Sequence, residues 1–268
     1  MEKGQRLSAL RRIENEYLQY FSDAEEHEHF VRFTDHELPS MYSHNCVLLK
    51  ETLDRAALHA QIGALFADAQ KRGARHLSIV LHPNLEFAMN AWEADVFGLS
   101  SLLYMTTPLD EYQGARPNAA CTVCEATTPS LHQDAKLCDI AASLTEGEEH
   151  VDYGFAYQRA LRKRPVLEQH APALGQYVAY LDAIPVGKCE VSLHDEVLRP
   201  ESFSVVAGFQ RKGIGTALLN KIVADGKTRG CKEMFVVTDP NDTAKEMYRK
   251  VGFRPVGVEY HLLWMKAK

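Results

Sequence analysis

Between Leu53 and Arg72 apolar residues fall at helical spacing (Leu53, Ala57, Ile62, Leu65, Phe66), and the pattern predicts a helix over that stretch. Helices are also expected over Arg6 to Glu26, His132 to Leu144, Val151 to Arg164 and Thr216 to Lys227. Short apolar runs at Phe30 to Thr34, Asn45 to Leu49, Cys121 to Thr127, Gln176 to Leu181, Val186 to His194 and Phe203 to Val206 read as strands. Ala183 to Gly187 reads as the link between two antiparallel strands. Thr106 to Asn118, rich in turn formers, reads as a linker between two halves.

The pattern repeats. Ala67 to Asn84 aligns without a gap on Ala224 to Asn241, with identities at Ala67/Ala224, Asp68/Asp225, Arg72/Arg229, Gly73/Gly230, Val80/Val237, Pro83/Pro240 and Asn84/Asn241. Both segments read as a helix end, a glycine stop, a buried strand and a Pro-Asn turn. A helix and a final strand are expected after each: Phe87 to Val96 and Leu99 to Met105, then Thr243 to Val251 and Val258 to Met265. Duplication is the reading that explains the shared order. The fronts differ. The second helix is entered through Gly208-Phe-Gln-Arg-Lys-Gly-Ile-Gly-Thr216, whereas the equivalent Glu51 to His59 has no glycine, so one site per chain is expected.

A chain of 268 residues suits two domains. The N-terminus has acidic residues and no long apolar segment, so neither a signal nor a transit peptide is expected, nor is a membrane span; cytoplasmic residence follows. Six cysteines do not make a disulfide scaffold, and Cys121 and Cys124 read as two small buried thiols in a strand. His27 and His29, among Glu25, Glu26 and Glu28, read as a charged helix end, and no metal site is expected. The net charge of −6 divides into −7 up to residue 115 and +1 after it. No basic surface for nucleic acid is implied, and the acidic half would attract a cationic partner such as an amine.

A strand running into Gln210-Arg-Lys-Gly-Ile-Gly215 and then a helix is an anion site. Glycines admit a ligand close to the backbone, first-turn amides lack partners, and the helix dipole, Arg211 and Lys212 add positive charge. Gly208 and Gly213 have P-loop spacing, but Ile214 stands where a lysine is needed. Leu218 occupies the third glycine of a dinucleotide fingerprint. The Q-x-x-G-x-G pattern instead resembles the pyrophosphate loop of the GNAT superfamily of N-acetyltransferases. Asn241-Asp-Thr-Ala-Lys-Glu-Met-Tyr-Arg-Lys-Val-Gly-Phe253 resembles that family's second signature, N-x-x-A-x-x-x-Y-x-x-x-G-F.

The resemblance implies an α/β fold of two GNAT-like domains, each a mixed, mostly antiparallel sheet flanked by helices. Residues 1–115 form a degenerate copy, and 118–268 form the complete acyltransferase domain. It implies an acetyl-CoA-dependent N-acetyltransferase, the co-substrate's pyrophosphate held by Gln210, Arg211, Lys212, Gly213, Ile214, Gly215 and Thr216. Asn241 and Ala244 would line its pantetheine arm. Tyr248 would protonate the departing thiolate, and a strand amide at Val205 or Val206 would polarise the thioester carbonyl. A general base is expected among Glu190, His194, Glu196 and Glu201, with Glu201 and Glu196 leading. No cysteine stands as a ping-pong nucleophile, so direct transfer is implied. The acceptor is an amine, a small molecule favoured over a protein by the acidic half. The degenerate half would shape the acceptor site or support the active half, and Asp35 to Asn45 is a candidate lining of an acceptor pocket. A non-catalytic acyl-CoA sensor is the alternative reading.

Overall fold

The computed structural model describes residues 3–267 apart from 52, 84, 86 and 144–152. Asn84 of the repeat, and Leu144 and Val151 at the ends of two expected helices, lie outside the described residues. The elements are α1 (Lys3–Leu18), β1 (Asp23–Glu26), β2 (Phe30–Thr34), β3 (Cys46–Leu49), α2 (Arg55–Lys71), β4 (His76–Val80), α3 (Ala91–Val96) and β5 (Gly98–Pro108). They continue as β6 (Cys121–Glu125), α4 (Pro129–Ser143), α5 (Tyr153–Gln169), β7 (Leu174–Leu181), β8 (Ile184–His194) and β9 (Val197–Val205). The chain closes with α6 (Ile214–Thr228), β10 (Glu233–Thr238), α7 (Ala244–Lys250) and β11 (Arg254–Met265).

Two compact units result, and they do not follow the expected boundary at 115–118. Unit 1 comprises Met1–Tyr104, Thr238–Pro240 and Val256–Lys268; unit 2 comprises Met105–Val237 and Asn241–Pro255. The order α1-β1-β2-β3-α2-β4-α3-β5 matches α5-β7-β8-β9-α6-β10-α7-β11, which is the duplication in three dimensions. The last strands are exchanged. Unit 1 orders its sheet β1-β2-β3-β4-β11-β5, so the chain's final strand lies beside β4, with His261 opposite Val80. Unit 2 orders its sheet β5-β10-β9-β8-β7-β6, so the end of β5 lies beside β10. In both, antiparallel neighbours predominate, while β3 with β4 and β9 with β10 run parallel.

The helices form where the sequence supplies a stripe, a start and a stop. α2 begins at Asp54, whose carboxylate accepts the Ala57 amide at 2.8 Å, and buries Leu58, Ile62, Leu65 and Ala69 against Leu77, Ile79 and Leu262. Each large aliphatic side chain on that stripe stabilises by roughly 1.5–3 kcal/mol relative to exposure. Gly73 (φ +68°) ends the run after α2, and Gly230 (φ +85°) does so after α6. Asp182 (φ +50°) and Ala183 (φ +63°) make the tight turn between β7 and β8.

The N-terminal elements differ from expectation. The first helix stops at Leu18, and Asp23–Glu26 is a strand paired with β2, so His27 and His29 lie in a hairpin turn rather than at a helix end. His27 stacks on Phe30 with ring centroids 4.2 Å apart. Cys121 is half-buried and Cys124 exposed, so the pair is not a buried one: β6 is an edge strand, and its outer face has no cover.

Candidate active site

The site of unit 2 is made by a failure of strand pairing. β9 and β10 run parallel and register only at Glu233↔Val197 and Met234↔Leu198; beyond those pairs they part. β9 stays bound to β8 on its other side, where the register slips between Lys188 and Glu190, close to Ser202 at φ +49°. The Val206 amide donates to the Val186 carbonyl at 2.9 Å. Amides alternate in direction along an antiparallel pair, so the Val205 amide faces away from β8 and into the gap. Of the two expected donors only Val205 is available; Val206 spends its hydrogen on β8.

Below the gap the chain makes one 3₁₀ turn, Ala207–Phe209, and enters α6 through Gly213 (φ +77°, ψ +11°), with no side chain capping the helix. Arg211 is also left-handed (φ +60°). A Cβ on Gly213 would stand 2.8 Å from the Asn118 nitrogen, so this position needs glycine for space as well as for conformation. The first-turn amides of α6 point at the cleft. Leu218, Leu219, Ile222 and Val223 bury the helix's other face and fix its axis.

The cleft has a volume of ≈ 690 Å³ and is lined by Phe203, Val205, Gln210, Arg211, Gly215 and Tyr248 among others. Gly213, Thr216 and Ala244 also line it. Gln210 is held by its side-chain amide, which donates to the Val205 carbonyl at 3.1 Å. Ile214 is buried and offers only its backbone. Lys212 turns away: its Nζ donates to the Gly208 carbonyl at 2.8 Å and sits over the Phe209 ring. Asn241 is exposed on the loop before α7, where Asp242 and Thr243 line the cleft instead.

Tyr248 is 5% exposed, tilted against Phe253, and borders the cleft. Burial first, then the neighbouring Cys189 and the carboxylates of Asp242 and Glu201, push its phenol above the ordinary tyrosine range, so it keeps its proton at neutral pH. Glu201 lies on β9, opposite Glu190, and pairs with Arg199 at 2.8 Å. Glu196 is at the other end of the strand. It precedes Val197, roughly 25–30 Å along β9 from the loop, and forms an exposed ion pair with Lys232 at 2.6 Å. The structure therefore separates Glu196 from Tyr248 and keeps Glu201 within electrostatic reach. Glu190 is buried between Lys163 at 2.9 Å and Lys188 at 3.0 Å. Burial opposes its charge, but the two ammoniums prevail and hold its pKa at about 2, too low for a base.

The expected linker is part of the site. The Leu109 amide donates to the Lys232 carbonyl at 2.8 Å and the Gln113 amide to the Val251 carbonyl at 3.2 Å. Tyr112 donates to Asn220 Oδ1 at 2.8 Å, and Asn220 Nδ2 donates to the Ala115 carbonyl at 3.0 Å. Ala115 borders the cleft, and the chain at Asn118 packs on Gly213. Sequence reasoning missed this arm, because turn-forming composition is silent about what a turn rests on.

Residues 136–253 match the Acetyltransferase (GNAT) family. The chain is 24% identical to the uncharacterized N-acetyltransferase CgeE of Bacillus subtilis (strain 168) over 251 residues, 91% of this chain and 92% of that one. A functionally unknown conserved protein from Staphylococcus epidermidis ATCC 12228 superposes with a TM-score of 0.74 at 18% identity, covering 92% of this chain and 95% of the other. A GCN5-related N-acetyltransferase from Kribbella flavida gives 0.67 at 14% identity, covering 96% and 95%. The splayed strands, the glycine loop and the tyrosine helix thus lie within the stretch, residues 136–253, that matches the Acetyltransferase (GNAT) family.

Proposed function

We propose that unit 2 binds acetyl-CoA and transfers its acetyl group directly to an amine, a small molecule rather than a protein. The observation that carries this is the parting of β9 and β10 beyond Leu198 and Met234, above a helix whose N-terminus no side chain caps. A gap between strands accepts an extended arm, and an uncapped, glycine-entered helix accepts its pyrophosphate. Gln210 to Thr216 hold the pyrophosphate, Arg211 supplying the nearest full positive charge at the cleft. Ala244 flanks the pantetheine arm from the cleft wall, beside Asp242 and Thr243, and Asn241 would reach it from the adjoining loop.

An amine attacks only when neutral, and an alkyl ammonium has a pKa of about 10.4, so a base must take its proton. Glu201 takes that role, directly or through water. The amine nitrogen forms its bond to the carbonyl carbon while the Val205 amide donates to the carbonyl oxygen as charge develops there. The carbon–sulfur bond then breaks, and Tyr248 gives its proton to the thiolate. A covalent enzyme intermediate has no support: Cys189, the cysteine near Tyr248, is fully buried and its thiol is pushed far up by burial. The acidity of residues 1–115 supports a cationic acceptor.

The test is calorimetric titration of acetyl-CoA into the intact protein, followed by thiol release against a panel of small amines. One-site binding with amine-dependent thiol release is expected. Binding without release for any amine, with Tyr248→Phe indistinguishable from the parent, would establish a sensor instead. No binding would remove the cofactor reading itself.

A further inference from the structure

Unit 1 contains a cavity that acetyl transfer does not use. Its volume is ≈ 630 Å³, within the ~300–1,000 Å³ typical of small-molecule sites. It lies where β3 and β4 begin and β11 ends, walled by Arg32, Asn45, Arg72, Arg75, His76 and Met265 among others. Residues 1–115 carry a net charge of −7, yet three of their arginines converge here, and no carboxylate is among the described residues of the wall.

The electrostatics are specific. Asp68 is the counter-charge, and one of its oxygens, Oδ2, takes both Arg32 Nη2 at 3.0 Å and Arg72 Nε at 2.9 Å. One carboxylate thus holds two guanidiniums in place without neutralising both. Arg75 is exposed, and its guanidinium has no ion-pair partner among the described residues. His76 adds no charge at neutral pH, because burial lowers its pKa; its Nε2 lies 3.3 Å from the Asn45 carbonyl. Most of the remaining wall is apolar, with Thr34 and Ser40 as its hydroxyl residues. Phe33, Val47 and Leu77 form its floor, Met265 is 56% exposed at its lip, and the exposed Tyr42 packs edge-on against His76.

We propose that this cavity binds a small amphipathic organic anion, with a carboxylate or phosphate on an apolar body. A guanidinium presents its donors in a planar fork that matches either oxyanion, and Arg32 and Arg72 are preset by Asp68. Arg75 supplies the uncommitted charge. Met265, with its flexible thioether, and the ring of Tyr42 cover the apolar part.

Calorimetric titration of the full chain with phenyl phosphate, phenylacetate and benzyl alcohol tests this. Binding of at least one anion is expected, and which one binds distinguishes phosphate from carboxylate. Benzyl alcohol, which has the ring but no anion, should not bind. Loss of one charge-assisted contact in Arg75→Ala should weaken the anion about tenfold or more. Arg75 is exposed, so its replacement should leave the circular dichroism unchanged. The loop of unit 2 also attracts phosphate, so Arg211→Ala is the companion variant, and it should leave this binding unaltered. Absence of binding by both anions at millimolar concentration, equal binding of benzyl alcohol, or sensitivity to Arg211→Ala rather than Arg75→Ala would each overturn the proposal.

Discussion

The two units repeat one run of elements and differ where a parallel strand pair meets the helix between its members. In unit 1, β3 and β4 pair at Cys46↔Ser78, Val47↔Ile79 and Leu48↔Val80, to within one residue of the end of β3. In unit 2 the equivalent β9 and β10 share two pairs and then part. The helices carry the same contrast. α2 is capped by the Asp54 carboxylate; α6 starts at an uncapped, left-handed Gly213. On the register of the repeat, Asp54 stands where unit 2 has Arg211. Unit 1 closes internally what unit 2 leaves open: the strand pair by its ladder, and the first turn of the helix by a carboxylate on the Ala57 amide.

Closing the open copy should have the largest effect. Gly213→Glu sets a side chain 2.8 Å from the Asn118 nitrogen, in a left-handed conformation that L residues avoid, and adds charge where pyrophosphate is proposed to sit. Acetyl-CoA binding should fall by more than about a hundredfold by calorimetry. Retained affinity would mean that the open terminus is not what distinguishes the units. Next is Tyr248→Phe, expected to lower kcat by roughly 10²-fold, at the low end for proton transfer, with unchanged acetyl-CoA affinity. Because the Tyr248 pKa is raised, the parent's kcat should show no loss from this group's deprotonation as pH rises to 10. A fall centred near pH 9 that Tyr248→Phe removes would contradict that protonation state.

Arg211→Asp copies the charge of unit 1 into unit 2 and should weaken acetyl-CoA about tenfold, measured at low and high salt because screening should shrink the effect. The smallest effect is the reciprocal one. Asp54→Ala removes the cap of α2 and should cost about 1 kcal/mol in denaturant unfolding. It should create no second acetyl-CoA site, since β3 and β4 remain paired. A second site appearing in that variant would show that capping alone closed unit 1.

The sequence made local features legible and left long-range ones hidden. α2, α6 and their glycine stops follow from an apolar stripe ended by a residue that tolerates positive φ. The loop and Tyr248 were readable because chemistry fixes residue types at short spacing. β1 was not: Asp-Ala-Glu-Glu favours a helix, and only pairing with β2 makes it a strand. The splay was invisible too, because the missing partner of a Val205 amide is a property of register. Glu196 and Glu201 look alike in the sequence, five residues apart, one just before β9 and one at its middle. The arginine cavity joins β2, the end of α2 and the start of β4, and no periodicity links those positions.

The exchange of final strands sets the order in which the molecule can be finished during synthesis. Unit 1 emerges first from the ribosome, yet β4 waits for its neighbour until β11 arrives, with Met265 opposite His76. Unit 2 has its full set of strands once β10 has emerged, because β5 precedes it. Translation supplies about 5–20 residues per second, so the first-made unit stays incomplete for several seconds longer than its own length requires. During that interval the β4 edge is open and apolar, the state in which a nascent chain most needs shielding.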